Sequence, residues 1–182
     1  WKRVVTLIIV LLLTSYMALM SAFFFYLRYK LSYEEASYWK TIILPLRIQA
    51  HRQEMGEYYI KEGKAAFKNG DFASARSYLS AGLTRVHNDG EAIIMLTQYY
   101  IQGHPPRIPM AIKKLGDHIE DNLNNADYIQ LYFQLLSLEG RITEKINNAE
   151  IYLKKAEDPV IKHLIAQFAI QGYVSLGNLD RA

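Results

Sequence analysis

The sequence predicts an all-α protein, with one transmembrane helix followed by an α-solenoid of helix pairs. Three observations predict it. An uncharged apolar run occupies Val4–Leu27. Glycines that read as helix-ending turns recur at Gly70, Gly103, Gly140 and Gly177, at intervals of 33, 37 and 37 residues. Small residues also stand inside apolar helical patterns, at Gly63 and Gly82, where glycine costs about 1 kcal/mol relative to alanine.

Composition narrows the classes. Apolar residues make up 51% of the 182, enough for a packed core. Cysteine is absent, which excludes a disulfide framework, a thiolate metal site, an iron–sulfur cluster and a covalently attached haem. The net charge of +3 is mild and no long basic run occurs, so nucleic acid has no electrostatic footprint here.

Residues 1–3 form a short N-terminal flank. As a helix, the 24 uncharged residues 4–27 measure about 36 Å, enough to cross a hydrocarbon core of about 30 Å with some tilt. Lys2 and Arg3 mark one boundary, Arg28 and Lys30 the other, and Trp1, Tyr26, Tyr29 and Tyr33 suit the interfacial belts. The run is too long for a signal peptide and lacks an A-x-A cleavage site after it, so an uncleaved, bacterial-type single-pass anchor is expected. The flanking charges point to a cytoplasmic soluble part. The habit of short N-terminal flanks to stay inside points the other way, and the reading adopted is the non-cytoplasmic, periplasmic side. Thr14, Ala18 and Ala22 recur every four residues with Ser21 beside them, the pattern that lets another membrane helix approach closely.

Residues 28–55 read as a helical connector kinked near Pro45. Its apolar residues Trp39, Ile42 and Ile43 suit the membrane surface, a cover over the open first face of the solenoid, or contact with a partner subunit, the second being favoured.

Residues 56–89 then read as two amphipathic helices around the turn Asn69–Asp71. Gly70 accepts the positive φ of a helix end, and Asp71 caps the helix that follows. Gly63 on the first helix and Ala75 on the second let the two approach, and Gly82 turns toward the next pair. This 34-residue unit resembles a tetratricopeptide repeat. The resemblance rests on Tyr59, Gly63, the turn "NGDF", Ala75, Leu79 and Gly82, with Glu62 and His87 departing from the family's leucine and proline.

Further units are expected at about 90–124, 125–159 and 160–182, the last truncated. In the second, "HPPRIP" lengthens the turn. In the third, extra residues near Thr143–Ile146 precede a second helix that starts at Asn147, where Ala149, Leu153 and Ala156 reproduce the spacing of Ala75, Leu79 and Gly82. In the fourth, Gly177, Leu179 and Ala182 match Gly70, Phe72 and Ala75, and further repeats are expected beyond.

No constellation of catalytic side chains emerges. The histidines His51, His87, His104, His118 and His163 lack ligands at zinc spacing. Asp117 and Asp121 read as a solvated face beside His118, and the adjacent Glu34 and Glu35 diverge on a helix. Phosphate-loop, dinucleotide and nucleophile-elbow motifs are missing. The expectation is a non-enzymatic protein with no metal and no cofactor. The resemblance implies a concave groove lined by the first helix of each pair. Lys61, Lys64, Lys68, Gln98, Gln102, Gln130 and Gln134 would line it. The implied role is a membrane-anchored scaffold or adaptor, a subunit or assembly factor of a membrane complex. The alternative is a targeting receptor that holds a short peptide or acidic tail. Lipid and protein are the expected partners, and the oligomeric state is left open.

Overall fold

The computed structural model describes residues 1–31, 33–34 and 36–177. Every regular element among them is helical. Two compact units divide inside one helix, between Tyr58 and Tyr59.

In the first unit, α1 runs over Lys2–Phe25 and continues as a wider π-helical turn over Tyr26–Lys30. Together they form one helix of 29 residues with mean hydropathy 2.3, long and apolar enough to cross a membrane. Its side chains are almost wholly uncovered as far as Ser15. The connector then folds back on α1. A short helix α2 spans Tyr38–Ile42, a 3-10 turn spans Leu44–Leu46, and α3 starts at Ile48. Pro45 lies in that turn, so the expected break is there. Trp39, Ile43 and Leu46 are exposed and Ile42 is half-buried.

The second unit takes the rest of α3, which ends at Lys68, together with α4 (Phe72–Leu83), α5 (Gly90–Gln102), α6 (Ile108–Gly116), α7 (Ala126–Leu138), α8 (Ile142–Lys155) and α9 (Pro159–Ser175). From α4 onward each helix packs on the next, and α7 also touches both α5 and α9. The helices are therefore stacked as pairs. The continuous core runs through Leu79, Ile93, Leu115, Ile129, Phe133, Leu136 and Ile165.

Local chemistry sets the ends. Gly70 sits at φ +79° and Gly140 at +72°, conformations that a side chain resists. Both turns close with the same two bonds: Gly70 N to Phe67 O and Asp71 N to Ala66 O, then Gly140 N to Ser137 O and Arg141 N to Leu136 O. The following or preceding caps are equally local. Asp71, Asp89, Asn125 and Asp158 each accept a bond from a backbone N–H of the first turn they start. Hydrogen bonds from Ser74 hold the Asp71 carboxyl below its usual range.

Three expectations need correction. Gly103 has φ −62° and ψ 154°, so the second turn is extended and carries a cis His104–Pro105 bond instead of a positive-φ glycine. In the third pair, α8 begins at Ile142, directly after the turn. The residues taken as an insertion near Thr143–Ile146 are one extra turn of that helix. The third concerns Gly63. A Cβ there would stand 2.7–2.9 Å from Leu79 atoms, including its backbone N, so Leu79 rather than Ala75 sets the close approach. The matches expected at Leu179 and Ala182 lie outside the described residues.

Candidate functional site

Lys61 and Lys68 are exposed on α3. Lys64 is not available in the way expected. Its Nζ lies 3.0 Å from Asp89 Oδ2 and 2.7 Å from Glu91 Oε2, at the start of α5. Burial works against its charge, but the hydrogen bonds to Glu91 and Asp89 outweigh it and raise the Lys64 pKa. The lysine row therefore holds an internal clasp between α3 and the α5 cap. Gln98 is half-buried on α5, while Gln102 on the same helix and Gln130 and Gln134 on α7 are exposed. Because α5 touches α7, these amides occupy successive first helices.

A register emerges that sequence spacing had hidden. Counted from the caps Asp89, Asn125 and Asp158, Gln98, Gln134 and Gln167 each fall nine residues on. Capping residues were visible in the sequence, and counting from them would have found Gln167.

Ala75, Leu79 and Gly82 are buried in α4, and Tyr59 stacks on Tyr78 at 6.2 Å with the Arg85 guanidinium 5.1 Å from its ring. In the third pair Ala149 and Ala156 are buried and Leu153 is partly so, though Ala156 lies just past α8. Counted from the turn glycine, however, Ala75 matches Lys145, since each comes five residues later. Four extra residues are close to one helical turn of about 3.6, so both registers face the core.

Lys145 is 3% exposed. Its Nζ lies 5.2 Å from the centre of the Phe168 ring and 3.4 Å from Gln171 Oε1, and burial lowers its pKa. Neighbouring polar contacts organise the same core. Tyr128 donates to Leu115 O at 2.8 Å, and Asn148 Nδ2 donates to Tyr132 at 2.7 Å. Gly172 was also missed; a Cβ there would meet Ile146 Cγ1 at 2.5 Å.

The membrane-length helix offers a second surface. At about 100° per residue, Thr14, Ala18 and Ala22 share one face, half a turn from the covered Met20 and Leu27. Those three are exposed, although the Thr14 hydroxyl bonds back to Val10 O. Ser21 departs from the stripe. It is half-buried, with its Oγ 3.0 Å from the Tyr38 hydroxyl.

Within the first unit, Arg47 Nη2 and Lys40 Nζ meet Glu54 Oε1 at 2.6 and 3.0 Å. Among the described residues, Arg47 Nη1 is buried without a hydrogen-bond partner. Among the described residues, no group of three histidine or acidic side chains could hold a metal ion. Burial is the main influence lowering the His118 pKa, and Lys114 adds to it.

No protein-family model matches the chain, and neither does any curated protein or solved structure.

Proposed function

We propose that this chain is a non-catalytic, membrane-tethered scaffold of tetratricopeptide type that holds partner proteins at a membrane complex. The observation that carries this reading is the joining of two surfaces on one chain. One is a membrane-length helix with Thr14, Ala18 and Ala22 uncovered on a single face. The other is a stack of helix pairs whose first helices present Gln102, Gln130 and Gln134 to solvent. The tetratricopeptide assignment is supported by the matching turns at Gly70 and Gly140 and by the tight crossing at Gly63. We place the helix pairs on the non-cytoplasmic side.

The alternative, a receptor for an acidic tail, has less of the lysine row to draw on, because Lys64 already serves two carboxylates. Extraction of the native protein in mild detergent, sizing and mass spectrometry test the scaffold reading. A stoichiometric assembly supports it. A lone monomer whose isolated chain binds acidic peptides, with binding lost on reversing Lys61 and Lys68, replaces it with the receptor.

A further inference from the structure

We propose that the bend formed by residues 38–48 is a second membrane element, an interfacial foot that enters the headgroup–acyl boundary of one leaflet beside α1. The proposal rests on α1 being a membrane span and adds a lipid-contacting surface to it.

The contacts fix the level of the foot along α1. The Tyr38 ring packs edge-on against Phe24 at 5.5 Å, and its hydroxyl lies 3.0 Å from Ser21 Oγ. Further along, the Tyr16 hydroxyl donates to the Ile42 carbonyl. Thus α2 runs backward along α1. Then α3 returns, with His51 6.3 Å from Phe23 and Tyr58 donating to Leu31 O at 3.2 Å.

Length decides the depth. The stretch before Tyr16, residues 2–15, spans only about 21 Å, short of the hydrocarbon core of about 30 Å. A crossing that starts at Val4 needs about 20 residues and ends near Phe23. The foot lies beside that last part. Tyr16 is about 10 Å inside the edge at Phe23. Amphipathic segments lie about 5–10 Å into the boundary, so the bend at Ile43–Leu46 has the right depth.

Its side chains are arranged inside out. Leu46 is 90% exposed, Trp39 73%, Ile48 60% and Ile43 49%. Inward lie Thr41, 5% exposed, and the Arg47–Glu54 pair. Water disfavours four large apolar side chains left exposed on one short bend, since their burial would gain hydrophobic free energy. Lipid favours what is observed. Lys40 is half-exposed and can carry its charge to the headgroups on its long stem.

Irregular backbone at this depth needs its carbonyls satisfied. In the bend a side chain does this at Ile42 O, which accepts from the Tyr16 hydroxyl.

The two tryptophans of the chain make the test direct. Trp1→Phe leaves Trp39 as the sole emitter in the full chain, reconstituted in phosphatidylcholine vesicles. Acyl chains brominated near the headgroup should quench it strongly, chains brominated near the bilayer centre weakly, and aqueous iodide hardly at all. Quenching by iodide without lipid quenching overturns the foot, because Trp39 is then in water. Quenching by neither also overturns it, because protein then covers Trp39. The triple variant Trp1→Phe, Trp39→Phe, Leu11→Trp reports on α1 itself and should be quenched from the bilayer centre. If Leu11→Trp is quenched and Trp39 is not, the foot alone fails. If neither is quenched by lipid, the membrane reading of α1 fails and takes the foot with it.

Discussion

Two helical bends in this chain are built to opposite rules. In the pair α3–α4, the turn at Asn69–Asp71 is exposed and the apolar side chains Ile60, Leu79 and Leu83 point inward. In the bend of residues 38–48, Trp39, Ile43, Leu46 and Ile48 point outward, and Thr41 is buried. The same residue types, on equally local helical frames, meet different solvents. The first arrangement is what water selects, the second what a lipid boundary selects. The lesson is that burial, not hydrophobicity, separates a core from a membrane contact.

The same truncation should therefore act differently in the two places. Leu79→Ala removes a fully buried side chain and should cost about 2–5 kcal/mol, read by denaturation of the full chain in detergent. Leu46→Ala should stay within about 0.5 kcal/mol in the same assay. A large loss at Leu46 would mean that protein packs there, and the contrast between the bends would collapse.

Next in size is the crossing of α3 and α4. Gly63→Ala gains helix propensity, yet its Cβ meets the Leu79 backbone nitrogen at 2.9 Å, which a rotamer change cannot relieve. The expected net loss is about 1–3 kcal/mol. Gly172→Ala should cost less, because the obstacle is the Ile146 side chain, which can turn. Equal losses at both positions would show that α3 and α4 are no more rigidly apposed than α8 and α9.

A smaller effect attaches to the clasp. Lys64→Met should lower stability by up to about 1 kcal/mol, less at high salt. Reversing Lys68 should leave the melting curve nearly unchanged, since it is exposed. If Lys64→Met is silent and the reversal unfolds the protein, the clasp has been misplaced.

The smallest is a pH effect confined to the stacked pairs. Burial is the main cause that pushes the Tyr132 pKa from 10.0 up to about 12. With its folded pKa raised, the neutral phenol contributes stability in full below pH 10, and that contribution is lost as pH rises toward about 12. Tyr132→Phe should flatten part of this decline in the denaturation midpoint. An unchanged decline would assign it to other groups.

Much of this fold was legible without coordinates, for a physical reason. The apolar run, the positive-φ glycines Gly70 and Gly140 and the caps at Asp71 and Asp89 depend on interactions within five residues. The candidate surface was less legible. Lys64 looked like part of a solvated row because Asp89 and Glu91 are 25 and 27 residues away. Lys145 looked like an insertion because an added helical turn conserves the face while moving the register.

By itself, then, the sequence determined where α4 starts, which helix is long and apolar enough to cross a membrane, and that the turns at Gly70 and Gly140 need glycine. These follow from backbone sterics, capping and hydropathy along the chain. Only the tertiary structure decided that Leu79 is what Gly63 must admit, that Lys64 clasps α5, and that Trp39 and Leu46 face outward. Those outcomes depend on which helices meet and at what distance, and side chains far apart in sequence learn that only when the helices have packed.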